Sequence, residues 1–120
     1  MKLHSDTLEG LRQTLRKFAI LRDWEQFHSP KNLSMALIAE CAELVEHFQW
    51  LSESESQTLD DDKLQSVKEE LADILIFLVR TADVLNVDLI EAAFHKMANN
   101  EKRYPVDIVK GSAKRASEYT

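Results

Sequence analysis

The chain has 120 residues, of which 44% are hydrophobic, and a formal net charge of -6. This length fits one domain with a single core, and the acidic balance argues against a nucleic acid polymer as the main partner, because a phosphate backbone binds surfaces with an excess of Lys and Arg. Only two glycines and two prolines occur, which is too few for the many turns of an all-β chain, so an all-α fold is predicted.

The first predicted helix begins near Asp6, because Asp6 and Glu9 have the spacing of a capping box. Its apolar residues recur at three- and four-residue steps, as expected for one helical face; they are Leu8, Leu11, Leu15, Phe18 and Leu21. The pattern breaks near Phe27, and residues 28–32 are predicted to form a loop. Asn32 is the predicted N-cap of a second helix over residues 33–51.

The segment 52–62 is polar and acidic, so it is predicted to be a solvated linker or lid. A third helix is predicted over residues 63–85. A fourth begins at a capping box formed by Asp88 and Glu91 and ends near residue 101, before Pro105. We therefore expect one helical domain over residues 1–110 and a mobile polar tail over residues 111–120.

Residues 74–79 are apolar on every side of the third helix, whereas a surface helix normally keeps a polar face. A second copy of the chain is the expected cover, which predicts a homo-oligomer, either a dimer or a tetramer. This run is far too short to span a bilayer, the N-terminus has no apolar signal core, and Cys41 is the only cysteine. A soluble cytoplasmic protein with no membrane partner is therefore expected.

Two pairs of acidic residues lie beside the most apolar helical segments: Glu40 with Glu43, and Glu70 with Asp73. Residues three apart share one face of a helix, about 60° apart in projection, so each pair aims two carboxylates toward the same space. Such pairs often arise by chance in an acidic chain and are then ordinary solvated charges. Two matched pairs beside apolar segments call for a compensating cation, because like charges three apart repel.

The donor set indicates which metal such a site would hold. Carboxylates without matched Cys or His favour Mg²⁺, with Mn²⁺ as a substitute, over Zn²⁺. A di-iron bundle would need Glu-x-x-His motifs, but the nearest candidate on the second helix, Glu43 with His47, has a spacing of four residues. Because Mg²⁺ is typically shared between a few carboxylates and substrate phosphates, the pairs predict an enzyme that acts on a phosphate ester.

Several longer motifs accompany the acidic pairs. They are RDWEQFH at residues 22–28, PKNL at 30–33, FQW at 48–50, EELAD at 69–73 and KMANNEKRYP at 96–105. Together they resemble the all-α, MazG-like nucleoside triphosphate pyrophosphohydrolases, and in particular the dCTP pyrophosphatase subgroup. The resemblance extends over residues 18–105 and implies a four-helix bundle.

The resemblance implies Mg²⁺-dependent hydrolysis of a (deoxy)nucleoside triphosphate to its monophosphate and pyrophosphate, with dCTP-like substrates favoured and cleansing of the nucleotide pool as the purpose. It implies that all four acidic residues bind the metal. We expect one of the four, with Glu40 or Glu43 first, also to orient or deprotonate the attacking water. The residues that it places at the nucleotide are Trp24, His28, Asn32, Trp50, Phe77, Lys96, Asn100, Arg103 and Tyr104. Core packing of both tryptophans and structural hydrogen bonding by His28 are the competing interpretations.

The chain departs from the subgroup at two positions. Phe77 stands where relatives carry Tyr, and Leu15 stands where vertebrate members carry His, so both changes remove polar groups. These changes predict a less strict selection of dCTP, and dATP or a modified cytosine nucleotide is an alternative substrate. The alternative functions are those of a related dUTPase or phosphoribosyl-ATP pyrophosphohydrolase, or of an oligomeric helical binding module without catalysis.

Overall fold

A computed structural model describes residues 6–119, and these residues form helices joined by short turns, with no strand among them. The helices are α1 (Leu8–Leu21), α2 (Pro30–Glu46), α3 (Glu53–Ser56), α4 (Asp61–Val84), α5 (Leu89–Arg103) and α6 (Val106–Val109), with 3-10 helices at Glu25–Phe27 and Ala116–Tyr119. The predicted all-α fold is confirmed. Its four long helices are α1, α2, α4 and α5, as the apolar periodicity predicts.

The starts of the first two helices differ from the prediction by a few residues. The side chain of Thr7, rather than that of Asp6, caps α1 by accepting a hydrogen bond from Gly10 N at 3.0 Å. The prediction that Asn32 caps α2 is wrong, because Ser29 is the cap and accepts from Asn32 N at 3.1 Å. Pro30 therefore occupies the first turn of α2, where its missing N–H needs no partner.

The segment between α2 and α4 is more structured than a simple linker. Ser52 forms a capping box with Glu55 and starts the single-turn helix α3. Asp60 then caps α4 by accepting from Lys63 N at 2.8 Å, so this helix begins two residues before the predicted start. The predicted end of the second helix at residue 51 is also wrong, since α2 ends at Glu46 and residues 47–50 form turns.

The described chain divides into two compact units, residues 6–87 and residues 88–119. In the first unit, α4 packs most extensively against α2 and also against α1. The buried apolar side chains of this unit are Ala19, Leu33, Val67, Val79 and Ala82. The core is small, and α4 therefore keeps a stripe of exposed leucines on its outer side: Leu71, Leu75 and Leu78.

The second unit holds α5, α6 and the C-terminal 3-10 helix. Asp88 caps α5 and accepts from Glu91 N at 3.0 Å, at the position that the sequence predicts. The rings of Tyr104 and Tyr119 meet edge to face, with centroids 6.2 Å apart, and Tyr119 Oη accepts from Lys114 N at 2.9 Å. Every helix within residues 6–119 is too short or too polar to cross a membrane.

Candidate functional site

Three carboxylates from two neighbouring helices meet in the first unit. Glu40 and Glu43 lie on α2 and Glu70 lies on α4, and one oxygen from each lies within 4.8 Å of the other two. Asp73, the fourth predicted ligand, is half-buried one turn further along α4 and is not part of this group. The structure thus brings three of the four predicted ligands together, and their binding of a metal stays a prediction.

Two oxygens of this carboxylate cluster have no hydrogen-bond partner in the part of the chain that the structure describes. These atoms are Glu40 Oε2 and Glu70 Oε2, and both are buried. The nearest basic group is that of His47, whose Nε2 lies 3.7 Å from Glu70 Oε1, which is too far for a good hydrogen bond. Burying an unpaired carboxylate oxygen is costly, so the cluster has acceptor atoms and negative charge that the described protein leaves uncompensated.

Crowding within the cluster raises the pKa of Glu40 to about 7. The largest cause is Glu43, because two carboxyl groups can hydrogen-bond to each other only when one of them holds a proton. Burial adds to the shift, and so do Glu70 and the negative charge of Asp73. A cation bound here would remove the repulsion that otherwise favours a proton on Glu40.

The donor set fits Mg²⁺. This ion is hard, prefers oxygen ligands and is usually held by one or two carboxylates together with substrate phosphates and water. Glu40 and Glu70 each offer a buried, unpartnered oxygen for such an ion, and Glu43 offers a carboxylate exposed to the solvent side. Mn²⁺ accepts the same ligands, so the site does not require one of the two metals.

An apolar cavity of about 220 Å³ lies elsewhere in the same unit. Its lining residues are Leu15, Phe18, Ala19, Trp24, His28, Leu33, Ile76, Phe77 and Arg80. The Phe18 and Trp24 rings meet edge to face with centroids 5.7 Å apart, and the Trp24 and His28 rings do so at 6.3 Å. Three predicted nucleotide contacts, Trp24, His28 and Phe77, therefore share one cavity, whose flat apolar walls suit a planar ring.

A charge network centred on the buried Asp83 reaches this cavity through Arg80. Asp83 accepts hydrogen bonds from three arginines, which are Arg12 through Nη1 at 2.7 Å, Arg16 through Nε at 2.9 Å and Arg80 through Nη1 at 2.9 Å. The hydrogen bonds from Arg16 and then Arg12 hold the pKa of Asp83 below its usual range, although burial opposes them. Asp83 is thus a carboxylate whose charge the protein itself compensates.

Arg80 connects this network to His28. Its Nε atom donates to His28 Nδ1 at 3.0 Å, and Glu25 lies 3.8 Å from its Nη2 atom. Burial, followed by the positive charge of Arg80, lowers the pKa of His28, while Glu25 opposes the shift. His28 is therefore neutral near pH 7. His28 and Arg80 also line a second, polar cavity of about 410 Å³ with Arg16, Glu25, Asp83 and Val84.

Two other predicted nucleotide contacts of the first unit are exposed. Asn32 lies in the first turn of α2, and its Nδ2 atom donates to Phe27 O at 3.0 Å. Trp50 follows α2 and is 87% exposed, so core packing is the wrong interpretation for this tryptophan. Their contact with a nucleotide stays a prediction.

The last four predicted contacts lie in the second unit. Lys96 and Arg103 are exposed on α5, and Asn100, on the same helix, accepts the capping hydrogen bond from Tyr104 N at 2.8 Å. The Arg103 guanidinium lies 5.6 Å from the centre of the Tyr104 ring. Binding of a nucleotide by these four residues also stays a prediction.

The network around Asp83 is not among the sites that the sequence motifs predict. A signal was present, because Arg80 and Asp83 are the only charged residues in the segment 74–87 and have the three-residue spacing of a helical ion pair. Arg12 and Arg16 likewise lie one turn apart on α1. What the sequence alone does not show is that α1 and α4 pack so that both arginines meet Asp83.

The fold and the carboxylate cluster define a helical protein with a candidate metal site between two packed helices. Residues 36–118 match the sequence profile of the MazG-like family. The chain belongs to the MazG-like family.

Individual relatives agree with this assignment. The chain is 47% identical over 109 residues to dCTP pyrophosphatase 1 of Mus musculus, covering 89% of this chain and 64% of that protein. It is 42% identical over 114 residues to dCTP pyrophosphatase 1 of Homo sapiens, covering 93% of this chain and 67% of that protein. The chain therefore spans about two thirds of the length of these curated relatives.

A solved structure shows the same fold. The crystal structure of a pyrophosphatase from Archaeoglobus fulgidus DSM 4304 matches with a TM-score of 0.78 and 41% sequence identity. The match covers 82% of this chain and 92% of that one. The helical architecture is thus shared with an archaeal pyrophosphatase.

Proposed function

We propose that the chain hydrolyses (deoxy)nucleoside triphosphates to monophosphate and pyrophosphate, with dCTP-like substrates favoured, and that it removes unwanted nucleotides from the cytoplasmic pool. The observation that carries this proposal is the convergence of Glu40, Glu43 and Glu70, with two buried oxygens unpartnered, in a MazG-like chain. The names of the mouse, human and archaeal relatives support the same chemistry.

Glu40, Glu43, Glu70 and Asp73 would hold Mg²⁺ in this reaction. The bound ion would neutralise charge on the phosphates and acidify a water molecule. Glu40 or Glu43 orients the attacking water and takes its proton, and Glu40 Oε2 is suited to this because no described residue donates a hydrogen bond to it. The attack falls on the α-phosphorus, and pyrophosphate leaves.

The apolar cavity would hold the base. Trp24 and Phe77 supply flat apolar surfaces, and His28 supplies a polar atom within the same lining. Trp50 is exposed and available to stack on the base or the sugar. On α5, Lys96, Asn100 and Arg103 would contact phosphate or sugar, with Tyr104 beside them.

A panel of triphosphates tests the proposal. Purified protein is incubated with Mg²⁺ and, in separate reactions, dCTP, 5-methyl-dCTP, dATP, dUTP and phosphoribosyl-ATP, and the release of pyrophosphate and monophosphate is measured. We expect dCTP-like substrates to be hydrolysed fastest and a chelator to stop the reaction. Faster hydrolysis of dUTP or phosphoribosyl-ATP would assign one of the related activities, and no hydrolysis with any of them would favour a non-enzymatic binding module.

We also propose that the chain forms a homo-oligomer, either a dimer or a tetramer. On α4, Leu71, Leu75 and Leu78 are exposed at helical spacing, and on α2 the exposed Met35, Ile38 and Val45 do the same. Single exposed apolar residues are common, but two such stripes on packed helices favour a protein partner.

Light scattering coupled to gel filtration should give at least twice the mass of one chain. Leu75→Glu should lower that mass, whereas Lys68→Glu, on the same helix, should not. A monomer at micromolar concentration would contradict this assembly.

A further inference from the structure

The apolar cavity offers few polar atoms to a ligand. Of its lining residues, only Trp24, His28 and Arg80 carry nitrogen in the side chain. Arg80 is 6% exposed and already donates to both His28 and Asp83. A ligand in this cavity would therefore find its hydrogen-bond partner at Trp24 or His28.

The hydrogen bond from Arg80 determines where the proton on His28 lies. Every nitrogen of a guanidinium group is a donor and none is an acceptor, so the His28 Nδ1 atom, 3.0 Å from Arg80 Nε, must be unprotonated. A neutral imidazole then carries its proton on Nε2. Within residues 6–119, no residue accepts a hydrogen bond from His28 Nε2, so this donor is left for a ligand.

Neighbouring groups keep His28 neutral and keep the Arg80 side chain in place. Burial and the charge of Arg80 keep His28 neutral, and the carboxylate of Glu25, which faces Arg80 from the preceding segment, opposes them. Arg80 in turn is anchored by Asp83, whose side chain is 3% exposed. Turning Arg80 away from His28 would disturb a buried ion pair, which is costly.

We propose that Arg80 is a positioning residue that fixes His28 as the tautomer protonated on Nε2, so that His28 donates a hydrogen bond to an acceptor nitrogen on the base of a bound nucleotide. This inference rests on the proposed function and deepens it by naming how the base is distinguished. N3 of cytosine is an acceptor, whereas N3 of uracil and thymine carries a proton. A fixed donor at this atom therefore favours dCTP over dUTP, by about 5- to 150-fold if the mismatch leaves a buried donor unpaired.

A matched pair of substitutions separates the donor on Arg80 from its charge. Arg80→Gln keeps a nitrogen donor, because the side-chain nitrogen of Gln is attached at the same distance from the backbone as Nε of Arg. Arg80→Met has similar length and no donor. Both variants lose the positive charge, and in both Asp83 retains Arg12 and Arg16 as partners. The two variants therefore differ mainly in whether His28 Nδ1 receives a hydrogen bond.

The first measurement is the tautomer itself. Two-bond ¹H–¹⁵N correlation spectra of protein labelled with ¹⁵N-histidine, recorded at pH 7 without nucleotide, report which ring nitrogen carries the proton, and His28→Gln identifies the signal. We expect His28 to be neutral and protonated on Nε2 in the wild type and in Arg80→Gln. We expect a mixture of tautomers in Arg80→Met. A proton on Nδ1 in the wild type would overturn the proposal even if no Arg80 variant folds.

The second measurement is the ratio of kcat/KM for dCTP to that for dUTP. We expect Arg80→Met to lower this ratio by about 5- to 150-fold, mainly because kcat/KM for dCTP falls. We expect the ratio for Arg80→Gln to stay close to that of the wild type. Equal losses on both nucleotides, or equal behaviour of the two variants, would reduce Arg80 to a structural role and overturn the proposal. If the wild type hydrolyses neither nucleotide, the proposed function fails and the base contact fails with it, whereas the tautomer spectra still show whether Arg80 controls His28.

Discussion

Helix α4 contributes to two carboxylate groups whose negative charge the protein treats in opposite ways. Around Glu70, the neighbours are the carboxylates of Glu40 and Glu43, two oxygens stay unpartnered, and the pKa of Glu40 rises to about 7. Around Asp83, three arginines donate hydrogen bonds and the pKa of Asp83 falls. The Asp83 side chain is 3% exposed and that of Glu70 is 18% exposed, so the more deeply buried carboxylate is the one with positive partners. The less buried group lacks such partners, and only that group is left in need of a ligand.

Replacing Glu43 by Gln, in the group that lacks positive partners, should have the largest effect of the changes proposed here. The change removes a negative charge from the unsatisfied group but keeps the size of the side chain. If the cluster holds Mg²⁺, losing several kcal/mol of transition-state stabilisation should lower kcat/KM for dCTP by roughly 10²- to 10⁴-fold. Pyrophosphate release under saturating Mg²⁺ measures the loss, with circular dichroism as the check on helix content.

Glu46→Gln is the matched control, because Glu46 is exposed on the same helix one turn from Glu43 and lies outside the cluster. It should retain the activity of the wild type. Full activity in Glu43→Gln, or equal losses in the two variants, would contradict the assignment of the cluster as the metal site.

Asp83→Asn tests the group in which arginines compensate the carboxylate. This change leaves Arg80 buried without its carboxylate partner, and breaking a buried ion pair typically costs about 3–5 kcal/mol. Urea unfolding should show a loss of this size in the free energy of unfolding. Glu69→Gln, an exposed change on the same helix, should leave the stability nearly unchanged. A loss under about 1 kcal/mol in Asp83→Asn, the usual range for an exposed pair, would mean that solvent already compensates the network.

Adding Mg²⁺ should stabilise the wild type through the unsatisfied group alone. A ligand that binds only the folded state at about 100 times its Kd raises the free energy of unfolding by about 2.7 kcal/mol. Glu40→Gln should be more stable than the wild type under chelator, because it removes the crowded charge, and should gain less from Mg²⁺. Thermal melts with and without Mg²⁺ measure both differences. Equal gains in the two proteins would place the ion elsewhere.

Acid should remove the contribution of the Asp83 carboxylate to the free energy of unfolding, and this is the smallest expected effect. The pKa of Asp83 in the folded protein lies below its ordinary value of 3.8. Its contribution to stability is therefore complete above pH 3.8 and is lost as the pH falls through the lowered pKa. The difference in unfolding free energy between the wild type and Asp83→Asn should accordingly be constant from pH 7 to pH 5 and narrow below pH 3.8. A difference that stays constant into acid would contradict the lowered pKa.

The two groups also differ in how far the sequence alone predicts them. The pairing of Glu40 with Glu43 follows from helical periodicity, and the apolar stripes of their helices predict that those helices pack. The meeting of Arg12 with Asp83 depends on how α1 crosses α4, and these residues are far apart in the chain. Local spacing carries no information about that crossing.

The start of helix α2 is a second feature that the sequence alone does not predict. Asn32 and Ser29 are both good N-caps by residue type, and a loop over residues 28–32 favours Asn32. The structure begins α2 at Pro30 instead, because proline is well suited to the first turn. The existence of each long helix was predictable from its apolar repeat, whereas the choice between neighbouring caps depended on packing.

Helix α4 carries one member of each carboxylate group, Glu70 and Asp83, without interruption between them. From Glu70 to Arg80 the helix rises about 15 Å, at about 1.5 Å per residue. Val79, fully enclosed beside Arg80, anchors this stretch in the interior. The carboxylate cluster and the cavity that Arg80 lines thus lie along the same helix, so a ligand that occupies both has to extend along α4.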